Sequence, residues 1–147
     1  MPILKSLRRS DALLLDSHVV LWLFEDSPQL DMRISDAIEE CRGESKLHIS
    51  AISFWELDRL CRKGRIHIGM NYGDWVRKIS HQVGVNIVPL TLPVLMNARE
   101  IEGLGHHADP IDLMIVACAL EHDAVLLTRD GALLEGAKNG RYRAFEV

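Results

Sequence analysis

At 147 residues, with 48% hydrophobic and 26% charged side chains, the chain has the size and balance of one compact domain. That composition excludes a disordered or fibrous chain, and the longest apolar runs fall far short of the roughly 20 residues that cross a bilayer. A net charge of -4 argues against a protein whose main task is gripping nucleic acid, because non-specific affinity comes mostly from Lys and Arg meeting phosphates.

After a short basic lead, residues 12–16 (Ala-Leu-Leu-Leu-Asp) form an apolar run too short for a helix and predict a buried strand ending on a carboxylate. Residues 19–24 predict a brief helix stopped by Asp26-Ser27-Pro28, and residues 31–42 a second one closed by Gly43. A strand is expected over 47–50. Ile52, Trp55, Leu57, Leu60 and Cys61 then recur at helical intervals over residues 51–63, with Gly64 where a terminating glycine belongs. Another helix over 72–83 ends at Gly84 and leads into a strand over 85–88. Thr91 with Pro93 starts a helix running to Gly103, and Asp109 with Pro110 starts one over 111–122. A strand at 124–127, a short helical piece after Gly131 and a last strand within 142–147 complete the chain.

Apolar strands separated by helices imply parallel pairing with helices on both faces. The expected fold is therefore α/β, a three-layer α/β/α arrangement around a central, mostly parallel sheet. Without a repeat, a low-complexity tract or a long linker, residues 1–147 are expected to form one domain. Cys41, Cys61 and Cys118 are odd in number, lack metal-site spacing and read as reduced core thiols. With no signal peptide or span in view, the expected location is cytoplasmic, away from membranes. The basic clusters Lys5/Arg8/Arg9, Arg62-Lys63-Gly64-Arg65, Arg77-Lys78 and Arg141/Arg143 read as solvated faces at least as readily as phosphate contacts. Core packing is the expected role for most of Trp22, Phe24, Trp55 and Trp75.

The chemistry lies in the acidic residues. Ligand crevices of open α/β sheets sit beyond the carboxyl ends of the strands. Asp16 ends the first strand, and Asp130 follows Thr128 just past the strand at 124–127, so neighbouring strands would bring both carboxylates to one rim. Asp109 and Asp112, three apart, share one face at the start of a helix. Asp112 sits beside Met114, Ile115, Val116 and Ala119; a carboxylate in such surroundings is costly to ionise and calls for a partner, most simply a cation. Glu56 is the next member, although Ser53-Phe54-Trp55-Glu56 also fits a capping box and Arg59 stands three residues on. Asp109 reads equally as a helix cap and Asp130 as a turn residue. His106-His107 lacks a second metal-spaced His or Cys group and reads as loop.

Four blocks in order, residues 14–18 (Leu-Leu-Asp-Ser-His), 50–57 (Ser-Ala-Ile-Ser-Phe-Trp-Glu-Leu) followed by Lys63-Gly64-Arg65-Ile66, 107–112 (His-Ala-Asp-Pro-Ile-Asp) and 126–130 (Leu-Leu-Thr-Arg-Asp), resemble PIN-domain proteins. Within that family they resemble VapC-like toxins of bacterial toxin–antitoxin pairs. The resemblance implies a Mg²⁺- or Mn²⁺-dependent endoribonuclease acting on RNA, often a homodimer, silenced by a small antitoxin in its active-site groove. It places Asp16, Glu56 and Asp112 on the three central acidic positions and Asp130 on a more variable fourth, and so favours a catalytic role for Glu56. Asp109 belongs to an Asp-Pro-x-Asp variant of one branch, as a ligand or supporting residue, and Thr128 is expected to hydrogen-bond a ligand carboxylate. That branch usually has arginine where this chain has Leu113, which bears on substrate handling. The competing readings are a catalytically silent partner-binding module and a hydrolase of DNA or other phosphoesters; a dehalogenase-type phosphatase would want Asp-x-Asp where Asp16-Ser17-His18 stands.

Overall fold

A computed structural model describes residues 7–102 and 109–147. Its elements, in chain order, are β1 (Ala12–Leu15), α1 (Ser17–Phe24), α2 (Met32–Gly43), β2 (Leu47–Ser50), α3 (Ala51–Arg62), α4 (Tyr72–Ser80), β3 (Val85–Val88), α5 (Leu92–Glu102), α6 (Pro110–Glu121), β4 (Ala124–Thr128), α7 (Gly131–Ala137) and β5 (Ala144–Glu146). The strands form one sheet in the order β3-β2-β1-β4-β5. Every pairing is parallel, so the sheet expected to be mostly parallel is wholly so among the described residues.

Alternation along the strands divides the interior into two cores. Leu13 and Leu15 of β1 pack with Val125 and Leu127 of β4 against Val19, Ile34, Ile38, Leu57, Trp75 and Ile79 of α1 to α4. Leu14 and Leu126 point the other way, into Val94, Ile101, Ile115, Val116 and Leu133 of α5 to α7. Two buried faces explain why β1 and β4 are apolar at successive positions. Helix α6 is apolar nearly all round because most of it is covered.

Local chemistry sets most boundaries. Asp16, Asp31, Ser50, Asn71, Asp109 and Asp130 each accept a backbone N–H at a helix start, and Thr91 Oγ1 accepts from Val94 N at the start of α5. One expected cap is corrected. Helix α3 begins at Ala51, two residues before Ser53, with Ser50 Oγ accepting from Ile52 N at 3.3 Å; Ser53 lies inside the helix, and its buried hydroxyl has no partner among the described residues. The capping box that competed for Glu56 therefore does not form. Helix α4 stops at Ser80 rather than 83, and the chain turns through Gly84 at φ +86°, where a Cβ would fall 2.0 Å from the Arg42 carbonyl oxygen.

Trp75 is buried and Trp22 and Phe24 partly so, but Trp55, expected in the core, is 52% exposed with the Arg59 guanidinium stacked on its ring at 4.8 Å. Cys41 and Cys118 are buried, whereas Cys61 is only partly covered. Lys5, Gly103 and His106-His107 lie outside the described residues.

Candidate active site

Parallel pairing aligns the strands, and the register Leu15↔Leu127 brings the carboxyl ends of β1 and β4 side by side. Asp16 leaves β1 with its N–H bonded to Leu127 O at 3.0 Å. Its side chain is only 8% exposed and both of its oxygens are engaged: Oδ1 accepts from Ser17 N at 2.8 Å, and Oδ2 accepts from the Thr128 hydroxyl at 2.6 Å. Thr128 is thus the partner of Asp16 across the two strands, and its Oγ1 in turn accepts from Asp130 N at 3.0 Å. Asp130 caps α7 through Leu133 N at 3.0 Å, and Asp109 caps α6 through Ile111 N at 2.8 Å. The bland reading of both residues as caps holds, yet capping occupies one oxygen of each.

Asp16, Glu56, Asp109, Asp112 and Asp130 all line one open cavity of about 330 Å³. Four carboxylates come from the starts of α1, α6 and α7, where the helix dipole favours negative charge, and Glu56 comes from the second turn of α3. Burial nevertheless wins. It pushes Asp112 up to about 7, with the charges of Asp16, Glu56, Asp130 and Asp109 adding to the shift. Asp16 is also raised, by burial first, while Thr128, Ser17 and His18 hold it down and Asp130 pushes it up. Burial likewise raises Glu56. The Ser17 hydroxyl, which completes no full hydrogen bond, is near enough to oppose that shift, and Asp16 and Asp109 reinforce it. No ion pair joins Glu56 to Arg59 among the described residues.

The remaining lining is His18, Val19, Trp22 and Arg129. Reading the sequence did not single out His18 or Arg129. Their proximity to Asp16 and Asp130 in the chain was the available signal, but the sharp turns after β1 and β4 leave which way a neighbour points undecided until the strands pair. The predicted basic clusters go elsewhere: Arg62 pairs with Asp58, Arg77 with Asp74, Arg141 with Glu100 and Arg143 with Asp11.

The donors are all carboxylate oxygens, which suits a hard divalent cation and not a thiolate-seeking one. Among the described residues no three His, Cys, Asp or Glu side chains are gathered tightly enough to enclose an ion. An open acidic cavity of this kind fits a cation that keeps several waters and meets only some of the carboxylates directly, as magnesium does. Burial first, and mutual repulsion after it, raise Asp112, Asp16 and Glu56, and such a cation would offset both.

A family model described as PIN domain matches residues 13–139. Ribonuclease VapC22 of Mycobacterium tuberculosis is 33% identical over 120 residues, spanning 82% of this chain and 88% of that protein. Among solved structures, VapBC2 from Rickettsia felis bound to a DNA fragment of its promoter superposes with a TM-score of 0.68 at 15% identity, covering 92% of this chain and 98% of that one. A toxin–antitoxin complex from Klebsiella pneumoniae gives a TM-score of 0.57 at 19% identity, covering 84% and 91%. At these identities the two structures speak for the fold alone.

Proposed function

Because the chain belongs to the PIN-domain family, we propose that it is a VapC-like endoribonuclease that hydrolyses RNA phosphodiester bonds with Mg²⁺ or Mn²⁺, as the toxin of a toxin–antitoxin pair. One observation carries the reading: five carboxylates distant in sequence line one cavity, where burial and neighbouring negative charge raise Asp112, Asp16 and Glu56. Asp16, Glu56, Asp112 and Asp130 would hold the cation. When bound, such an ion lowers the pKa of a water and offsets charge building on the phosphate.

The protein's own groups do the rest. Thr128 and the Ser17 N–H fix both oxygens of Asp16, so that this carboxylate presents one orientation to the cavity. Glu56 is half-buried with raised proton affinity, which fits a carboxylate oxygen that takes a proton from the attacking water. Asp109 is tied at Oδ1 by its cap and supports the site as a further negative group. No nucleophile from the protein is required.

The same reading includes a small antitoxin that covers the cavity, in keeping with the antitoxin-bound state of the Klebsiella relative, and a homodimer of one PIN-like domain per chain. It places the activity in the cytoplasm; among the described residues no helix is long and apolar enough to cross a membrane.

The test is cleavage of structured and unstructured RNAs and of matched DNAs with Mg²⁺, Mn²⁺ or EDTA, comparing wild type with Asp16→Asn. Metal-dependent cutting of RNA that Asp16→Asn abolishes is expected. Equal cutting by both proteins would remove the carboxylate mechanism, cutting of DNA alone would favour the phosphoester alternative, and no cutting with any metal would favour the silent binding module.

A further inference from the structure

Arg129 is the one arginine or lysine among the described residues lining the acidic cavity, and it pairs with none of the five carboxylates there. An arginine free to relax toward such a cluster would form an ion pair, so something holds it away. Its Nε donates to Val147 O at 2.8 Å, one terminal nitrogen donates to Gln29 Oε1 at 3.1 Å, and the other donates to Gln29 O at 2.6 Å. The guanidinium also lies over the Trp22 ring, 4.3 Å from its centroid, and that ring also meets His18 with centroids 6.0 Å apart.

Gln29 and the Trp22 ring are uncharged partners. Carbonyl and amide oxygens and an aromatic face orient a guanidinium without neutralising it. A guanidinium carries five N–H donors, and three are used here, which leaves two. The residue as a whole remains exposed. The outcome is a pre-oriented guanidinium with spare donors on the wall of a cavity otherwise dominated by carboxylates.

We propose that Arg129 is a phosphate-binding residue, gripping a substrate phosphate group at the rim of the carboxylate cavity and so positioning the chain for cleavage. This rests on the nuclease reading for its substrate. Phosphate is the anion that suits both sides of the cavity, since its oxygens accept paired N–H donors from arginine and can also meet a cation held by the carboxylates. Anchoring by Gln29, Val147 and Trp22 removes most of the ordering cost that a long side chain otherwise incurs on binding.

Binding of a fluorescent single-stranded RNA, measured by anisotropy in EDTA over a range of salt, isolates the protein's own cations from any metal. Losing one phosphate contact lowers the slope of log K against log salt by about 0.7 and weakens binding roughly fivefold at 0.1 M salt. Arg129→Gln is expected to show that loss. Arg129→Lys, which keeps the charge, should retain the slope. Arg77→Gln, on α4 with its charge already met by Asp74, should match wild type.

An unchanged slope in Arg129→Gln, or an equal drop in Arg77→Gln, overturns the assignment. Should Arg129→Gln fail to fold, the wild-type Arg129 Nε–Hε resonance, assigned with Arg129→Lys, must shift on adding the RNA in EDTA; a stationary resonance is equally decisive against it. Wild-type cleavage decides the nuclease reading separately: cutting with an unchanged slope rejects Arg129 alone, and a lost slope without cutting rejects the nuclease reading alone.

Discussion

Helix α6 carries titratable side chains at both ends, and the two ends treat them differently. At its start, Asp109 and Asp112 join Asp16, Glu56 and Asp130 around one cavity, and Asp112 is pushed up to about 7. Near its finish, His122 stacks on His48 with ring centroids 4.7 Å apart, and burial followed by the His122 charge pulls His48 down to about 4. Cys118 donates to Ser50 Oγ at 3.2 Å, and burial raises its thiol. The helix dipole, worth roughly 0.3–1 kcal/mol, favours carboxylates at the first end and cationic imidazole at the other. The shifts of Asp112 and His48 run against it, so burial and like charge outweigh the dipole.

The outcomes differ because the groups differ. Burial keeps the His48 imidazole and the Cys118 thiol neutral at pH 7, so the far end needs no counter-charge, even though His48 Nδ1 is buried without a hydrogen-bond partner among the described residues. Carboxylates at the near end stay neutral only at the cost of carrying protons, and a cation would relieve the repulsion among them instead. Buried titratable groups therefore indicate a ligand site only where their neutral forms are the wrong ones at working pH.

The sharpest way to break this contrast is Asp112→Asn. RNA cleavage should fall roughly 10²–10³-fold, the scale for losing one electrostatic stabiliser of a transition state. The metal-free protein should change oppositely. A carboxyl whose folded pKa is raised from 3.8 to about 7 has its full stability below 3.8 and loses it as pH rises toward 7. Asp112→Asn should therefore melt higher than wild type above pH 7 in EDTA, and a lower melting temperature there would contradict the repulsion argument.

Thr128→Val probes the support beneath the cavity. Asp16 would lose its 2.6 Å bond, and cleavage should drop about 10–100-fold, as expected for a group that orients a ligand carboxylate. Retained activity would mean that Ser17 N–H alone holds Asp16.

Mn²⁺ should stabilise wild type by about 2.7 kcal/mol at a hundred times its dissociation constant, read as a shift in melting temperature. The shift should shrink sharply in Asp16→Asn. An undiminished shift would place the ion elsewhere.

The smallest effect is expected at the far end of α6. A histidine whose folded pKa is lowered from 6.5 to about 4 contributes fully above 6.5, and the contribution is lost as pH falls toward 4. With His48 partly exposed, the loss is on the order of 1 kcal/mol after discounting for solvent. Denaturant unfolding of His48→Leu between pH 4 and 7 should show a flatter profile than wild type, with cleavage at pH 7 unchanged; a profile as steep as wild type would assign the acid sensitivity to other groups.

How much of this was legible beforehand divides along physical lines. Caps, glycine stops and apolar periodicity act within a few residues, so the strand–helix order, the helix starts at Asp31, Asp109 and Thr91, and the two-sided burial of β1 and β4 could be read from local sequence. Asp112 was legible for the same reason, since its apolar neighbours lie on its own helix. Glu56 was ambiguous because the capping-box pattern is also local, and only the start of α3 at Ala51 removed it.

Pairing between β1 and β4 was a different matter, since it joins residues 112 apart in sequence at Asp16 and Thr128. No local rule fixes which strands become neighbours. Tertiary structure alone turned Arg129 from one residue of a turn into a charge pinned against Trp22 by Gln29 and Val147. It also paired Arg62, Arg77, Arg141 and Arg143 from the predicted basic clusters with acidic neighbours. The residue types and their local order specified the carboxylates, whereas their shared cavity, and the cation on its wall, exist only because long-range strand pairing closes that edge of the sheet.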